Sequence, residues 1–437
     1  MRVEKLLEKK NLFCAVTCFL LLDGSAALAA GEPKADAGDT SFMLVSAALV
    51  MLMTPGLAFF YGGMVRRKNV LATIMHSFTA VAIISLQWIL WGYSLSFGPD
   101  IGGFIGSLSW VGLRGVGTTP YPTYSATIPH QVFMIYQGMF AIITPALISG
   151  AMAERMNFKA YVLFLLLWAT FVYDPVCHWV WGDGGWLKTL GTLDFAGGTV
   201  VHLISGLTAL VVALMLGRRI GYPNEPIMPH NLPFTILGAA ILWFGWFGFN
   251  AGSALAAGEL SATAFVATNT AAAAAALTWM MLDWMVFKKP TALGTASGAV
   301  AGLVAITPAA GFVTPLSAIA IGILGGVACR QMVQWRSRRR IDDSLDAFGV
   351  HGVGGATGAL ATGIFASVGT GVSGLLLGNF RQFGIQIVGI LATGLYALVV
   401  GSIILKVLDV TVGLRVGDRE EIEGLDVSQH GEAGYSD

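Results

Sequence analysis

The sequence predicts an all-α polytopic membrane protein of eleven transmembrane helices, arranged as two inverted five-helix repeats plus a final helix. Three observations carry this expectation. Only 11% of the 437 residues are charged while 55% are hydrophobic, whereas soluble domains carry about 25% charge to cover their surface. The mean hydropathy is +0.72. Apolar stretches of the length that crosses a bilayer, about 20 residues, follow one another along the chain. A formal net charge of +0 and the lack of a long basic run argue against nucleic acid as a partner. The 56 glycines suit close helix contacts within a bilayer.

The amino terminus reads as a signal peptide over residues 1–30. Residues 1–10 are net basic, residues 11–22 are apolar, and Ala27-Leu28-Ala29 forms a small-x-small site before the polar stretch that begins at Gly31. Cleavage is expected after Ala29 or Ala30. The competing reading is a short uncleaved anchor helix, which Asp23 and Gly24 interrupt. Cys14 and Cys18 leave with the signal, and Cys177 and Cys329 fall near opposite membrane faces, so no disulfide or cysteine metal site is expected.

Spans are expected near 41–65, 70–95, 130–152, 160–181, 197–217, 232–254, 262–287, 292–309, 312–332, 346–367 and 384–412, within a membrane domain over 31–412 and before a tail over 413–437. With the N-terminus outside, an odd number of spans leaves the C-terminus in the cytoplasm. Loop charge tests this independently, because Lys and Arg accumulate inside. The segments assigned to the cytoplasm hold Arg66, Arg67, Lys68, Arg155, Lys159, Arg218, Arg219, Lys288, Lys289, Arg330, Arg336, Arg338, Arg339, Arg340, Arg415 and Arg419. The external ones hold only Lys34, Arg114, Lys188 and Arg381. An odd number of spans per half makes the second half run antiparallel to the first, with the substrate path between them.

Ionisable residues within the membrane are costly and need a reason. His202 in the fifth span and His351 in the tenth lie deepest, at matching places in the two halves, where a twofold axis in the membrane plane pairs them near the midplane. A structural hydrogen bond is the competing reading for the pair. A metal site lacks a third or fourth ligand, since no Cys, Glu or further His is near in the pattern. His76, His130 and His178 lie nearer span ends. Asp194 either caps the start of the fifth helix or favours a nearby cation, and Asp346 opens the tenth. Tyr136 and Phe140 share one face of the third span, Trp168 is in the fourth, and Trp246, Phe249 and Ser253 end the sixth. Aromatic faces attract cations, so Trp168, Phe140 and Ser253 are candidates for a cation vestibule, against ordinary packing aromatics.

Three stretches are similar to signatures of the Amt/MEP/Rh ammonium transporters. They are Asp194-Phe195-Ala196-Gly197-Gly198-Thr199-Val200-Val201-His202, Gly245-Trp246-Phe247-Gly248-Phe249-Asn250-Ala251-Gly252-Ser253, and Asp346-Ala347-Phe348-Gly349-Val350-His351-Gly352. The resemblance is to the bacterial Amt branch and extends over essentially the whole mature chain. It implies an ammonium transporter, not an enzyme, without a cofactor or metal, in the bacterial plasma (inner) membrane as a homotrimer with one path per subunit. It further implies that Phe140, Trp168 and Ser253 recruit ammonium on the outside, with Tyr136 lining the site near Trp246. Phe140 and Phe249 would form the gate. His202 and His351 would line the pore that conducts ammonia after deprotonation, with separate proton transfer left open, and Asp194 would support the site without touching substrate. Trp168 favours Amt over Rh, and Tyr136 stands where the family often has Phe.

The polar tail reads as disordered from composition. The resemblance favours instead a tail packed on the cytoplasmic face, coupling neighbouring subunits and helping to dock a PII-class regulatory protein. Charge alone suggests that Arg336 to Arg340 pair with the acidic tail, against the reading of such runs as orientation signals or headgroup contacts. Two functions from other classes remain. A sensor without flux would need an added domain, and a membrane enzyme would need a nucleophile, metal or cofactor motif that the chain lacks.

Overall fold

The computed structural model describes residues 34–369 and 371–435, so the expected signal peptide lies outside the described residues. Among those described, nine helices are long and apolar enough to cross a membrane. They begin with Ala37–Met64, whose first turn is capped by the Asp36 carboxylate accepting from the Asp39 N–H. They end with Phe380–Thr411. The expected eighth span is Ala292–Ile306, of 15 residues, and the expected tenth is Phe348–Phe365. Both are shorter than a bilayer is thick, so the expected count of eleven rests on the sequence reading and not on helix length. Several helices run past the expected ends. Pro315–Arg338 continues beyond 332, and its Arg330 is buried inside the fold, the Nε donating to Asp283 at 2.8 Å.

Helix His130–Met152 occupies the centre, with 89% of its apolar window buried, against 33% for Phe380–Thr411 at the margin. Large apolar side chains such as Leu86, Leu391, Leu395 and Ile403 remain exposed on the perimeter, a surface that lipid covers at no cost. One end of the bundle carries two antiparallel ribbons, Asp100–Ile101 with Ile105–Gly106 and Pro120–Tyr121 with Ser125–Pro129. The other end carries the arginines.

The helices that carry the two deep histidines, Gly198–Leu216 and Phe348–Phe365, cross in near contact, and glycine permits it. Each histidine is followed four residues later by a glycine. A Cβ on Gly206 would collide with the Gly352 nitrogen, and a Cβ on Gly355 would stand 2.5 Å from the Gly198 carbonyl and 3.1 Å from the His202 Cβ. The reciprocal pattern supports the twofold relation expected between the halves. Both helices begin in π-helical turns, Gly198–Leu203 and Phe348–Gly352, the kind of irregular turn that often marks functional sites.

The arginine-rich end is closed by a buried ion network. Arg219 donates to Asp342 (Nη2 to Oδ1, 2.8 Å) and to Glu154 (Nη1 to Oε2, 3.0 Å), and the Arg66 Nε reaches the same Glu154 oxygen at 2.9 Å. The residues after Thr411 pack onto this end as two short helices, Asp418–Glu423 and Leu425–His430. Glu421 accepts from the Ile220 N–H and from Arg415, both at 2.6 Å, and Asp426 accepts from the Ala72 N–H at 2.8 Å. The tail is therefore ordered by specific polar groups, contrary to what its composition predicts. The suggested pairing of Arg336 to Arg340 with the acidic tail is not what holds it, since Arg336 is engaged by Asp346 and Glu421 by Arg415.

Burial pushes the Glu154 carboxyl up, but Arg219 and Arg66 outweigh it and hold the group below the ordinary range. Burial likewise opposes, and Arg219 overcomes, for Asp342. A depressed carboxyl contributes stability that is present above the ordinary carboxylate range, about pH 4, and lost as the pH falls below it. Replacing Arg219 by Met strands the buried Asp342 carboxylate, leaves Glu154 to Arg66 alone, and is expected to cost about 3–5 kcal/mol at neutral pH. Thermal midpoints in detergent should show the gap between Arg219→Met and the parent narrowing as the pH drops through the carboxylate range, and a constant gap would dissociate the network from stability.

Candidate functional site

A path of unequal chambers runs through the centre of the fold. At the ribbon end lies a vestibule of about 170 Å³ bordered by Phe97, Tyr124, Gln137, Phe140, Trp181, Lys188 and Ser253. Its floor is the Phe140–Phe249 pair, with ring centroids 4.2 Å apart and planes tilted by 35°. Behind it is a cavity of about 10 Å³ lined by Met53, Leu57, Phe60, Ile143, Leu147, Trp246, His202 and His351. That is about the smallest space that holds one water-sized molecule. Past His351 a space of about 40 Å³ meets Tyr61, Ser297 and Asp346, and it shares Ser297 and Asp346 with a groove of about 460 Å³ at the arginine-rich end.

The vestibule differs from the expected one in its tryptophan. Trp168 is fully buried, stacks on Phe164 and donates its Nε1–H to the Thr208 hydroxyl at 3.1 Å. It does not reach the vestibule. The indole there is Trp181, edge-on to Phe140 at 5.9 Å. Helical rise could have identified it: counted from Phe158, Trp168 is only about 15 Å along the helix, while Trp181 is about 35 Å along, at the far end where Phe140 and Ser253 meet. Trp246 is also placed differently, on the cavity side of the phenylalanine pair. It stacks on His202 at 5.3 Å and is held by Nε1 donation to Thr307 at 2.9 Å. Phe140, Phe249 and Ser253 come together as expected.

Ser253 Oγ donates to the Phe249 carbonyl at 2.9 Å, which leaves its lone pairs toward the vestibule. Tyr136 stands behind it, its hydroxyl 2.8 Å from the same carbonyl and 3.2 Å from Ser253 Oγ. The added hydroxyl of Tyr136 thus braces the end of the sixth helix.

In the cavity, His202 Nδ1 and His351 Nδ1 are 3.3 Å apart, with the rings 20° from parallel. Two neutral imidazoles in this contact share one proton, one ring donating and the other accepting. His202 Nε2 is buried without a partner. Among the described residues no group of three His, Cys, Asp or Glu is arranged to hold a metal ion. His76, His130 and His178 lie off the path, against Tyr161, Tyr93 and Asp100.

Asp194 caps the fifth helix. One carboxylate oxygen accepts from the N–H groups of Gly197 (3.0 Å) and Gly198 (2.6 Å), the other from Thr199 N–H (2.9 Å), Val200 N–H (3.2 Å) and the Thr199 hydroxyl (2.5 Å). Its main-chain carbonyl accepts from Trp181 Nε1 at 2.8 Å. One residue therefore ties the vestibule indole to the start of the helix that carries His202. In the other half the cap is Asp343, which accepts from Phe348 N–H at 2.8 Å. Asp194 precedes His202 by the same eight positions that separate Asp343 from His351. Asp346, the sequence candidate for opening the tenth helix, has positive φ and pairs with Arg336 instead.

Asp194→Ala leaves several buried N–H groups without an acceptor. An ordinary N-cap loss costs ~0.5–2 kcal/mol, and each stranded donor adds about 1–3 kcal/mol, so a large fall in thermal midpoint is expected. Asp194→Asn, which keeps one acceptor oxygen, should fall between the parent and Ala; equal midpoints for all three would dismiss the cap.

Residues 41–435 match the Ammonium Transporter Family. The chain is 53% identical to an ammonium transporter of Bacillus subtilis over 92% of its own length and 99% of that protein. It is 49% identical to the ammonium transporter Amt1 of Archaeoglobus fulgidus over 91% and 99%. The crystal structure of Saccharomyces cerevisiae Mep2 superposes with a TM-score of 0.82 at 40% identity, covering 88% of each chain. A structure named Sensor Amt Protein gives 0.84 at 32% identity, covering 90% of this chain and 98% of that one. Matches of this extent and identity show that the chain belongs to the ammonium transporter family and is a multi-pass membrane protein, not an enzyme.

Proposed function

We propose that the protein carries ammonium nitrogen across a bacterial plasma (inner) membrane, taking up the ammonium ion at the vestibule and passing ammonia through the histidine cavity. The observation that carries this reading is a fully buried imidazole pair, with His202 Nε2 unpartnered, in an apolar space closed by two phenylalanines. Loop charge supports an orientation with the vestibule outside and both the arginine-rich end and the tail in the cytoplasm. Residues 1–30 act as the signal peptide in this reading, 31–412 as the transport domain and 413–437 as the tail.

At the mouth, the faces of Trp181 and Phe140 and the lone pairs of Ser253 replace part of the water around a cation. Beyond Phe249 the walls are Met, Leu, Ile and Phe, and a charge entering them loses its hydration without a counter-charge. Ammonium escapes the penalty by leaving a proton behind. Potassium, close to it in size and charge, has none to leave. Neutral ammonia then finds both a donor and an acceptor along His202 and His351. The proton crosses separately, with the Nδ1 contact between the rings as its relay. Asp194 acts on the vestibule through Trp181 without touching substrate. The chain works as a homotrimer with one path per subunit, and the packed tail helps to dock a PII-class protein over the 460 Å³ groove.

An ammonium pulse on reconstituted liposomes, with a potassium pulse as control, tests the reading. Current with ammonium alone is expected, and neither current nor an internal pH change would overturn it. Trp181→Leu should raise the half-saturating ammonium concentration by about two- to thirtyfold, the equivalent of a cation–π contact of ~0.5–2 kcal/mol. Trp168→Leu should instead lower the thermal midpoint, since it empties a buried site. His351→Ala should cut ammonium flux or admit potassium, and unchanged behaviour in both assays would remove the pair from the mechanism.

A further inference from the structure

We propose that the vestibule contains a second, outer cation subsite, formed by the ring of Tyr124 and the main-chain carbonyl of Trp181, and that Lys188 keeps it filled with its own ammonium group. The inference rests on the reading that the vestibule takes up ammonium, and it concerns residues which that reading leaves unused.

Lys188 follows Trp181 in a short helix, Trp186–Leu190, at the rim of the vestibule. Its Nζ donates to the Trp181 carbonyl at 3.2 Å and stands 5.7 Å from the centre of the Tyr124 ring. Tyr124 is held for this contact from three sides. Its hydroxyl donates to the Phe97 carbonyl at 2.6 Å and accepts from the Asp183 N–H at 3.2 Å. Phe133 stacks on it at 4.7 Å, with the planes 6° apart, and covers one face. Phe97 and Tyr121 also meet the ring, at 5.2 and 5.9 Å, and the Lys188 ammonium lies over it as a cation does on a π face. The same indole whose carbonyl is used here borders the inner position through its ring, so the two positions adjoin along Trp181.

The lysine head group and the ammonium ion have the same chemistry: a compact cation that donates N–H bonds and settles on π faces. A carbonyl acceptor with a ring face beside it therefore binds either. Held on a short tether, Lys188 competes for the outer position and adds a positive charge at the mouth. Ammonium must displace it to use Tyr124, which raises the concentration needed for half-saturation. Removing the head group frees the subsite.

The test uses the full chain in liposomes, ammonium chloride as the probe and the half-saturating concentration of the ammonium-evoked response as readout. Lys188→Met, which keeps the stem and removes the charge, should lower that concentration by about two- to fivefold, the worth of an exposed cation–π contact. Lys289→Met, at the arginine-rich end, is the control. Adding Tyr124→Leu to Lys188→Met should abolish the gain. A gain that persists in the double variant reflects only the lost charge and overturns the subsite. Where Tyr124→Leu does not fold, ionic strength decides: a gain retained at 1 M sodium chloride, where screening leaves a Debye length of about 3 Å, supports contact binding, and one that vanishes overturns it. A parent protein without an ammonium response overturns the functional reading as well, whereas a responsive parent with a silent Lys188→Met removes the subsite alone.

Discussion

Two imidazole nitrogens 3.3 Å apart accommodate one proton between them, and much of the protein is arranged to hold that contact. The rings meet only because the helices that carry them approach to backbone distance, which Gly206 and Gly355 allow reciprocally. The approach is oriented by two carboxylates, Asp194 and Asp343, each satisfying the opening turn of one helix. Those turns are π-helical, and the caps meet their main-chain donors from within the fold. In an apolar interior an unsatisfied donor costs more than in water.

The chambers on either side follow from the same centre. A wide vestibule narrows through Phe140 and Phe249 to a space fit for one small molecule, then widens toward the arginine-rich end. Aromatic side chains do different work along this line. Trp181 and Phe140 border the wide vestibule, and Trp246 lies flat against His202 in the narrow cavity. Within the narrow cavity polarity is confined to the imidazole nitrogens and the Trp246 indole, whereas the spaces on either side carry polar side chains such as Gln137 and Ser297.

Much of this was legible in the sequence. Long apolar stretches and loop charge anticipate most of the helices, and the repeated histidine at matching positions anticipates the central pair. What one-dimensional reading missed has physical causes. Trp168 and Trp181 share a span, and apolar periodicity does not distinguish an indole hydrogen-bonded to Thr208 inside the bundle from one at its end. The equivalence of Asp194 and Asp343 depends on their distance from the histidines, whereas Asp346, the first residue of the third signature stretch, draws attention to the wrong carboxylate. The tail misleads by composition, because Glu421 and Asp426 act as specific acceptors for main-chain N–H groups of the bundle while Asp418, Glu423 and Glu432 stay exposed. The short eighth and tenth helices fall below the length of a span because their neighbours, and not lipid, surround them.

The docking of that tail has a consequence for synthesis. The main-chain N–H groups of Ala72 and Ile220 are made well before their acceptors, Asp426 and Glu421, which follow 354 and 201 residues later. These contacts cannot form at the arginine-rich end until Glu421 and Asp426 have been made. A chain that stops short of Glu421 leaves both N–H groups without these acceptors. The tail thus seals that end only after the segments that supply its donors are in place.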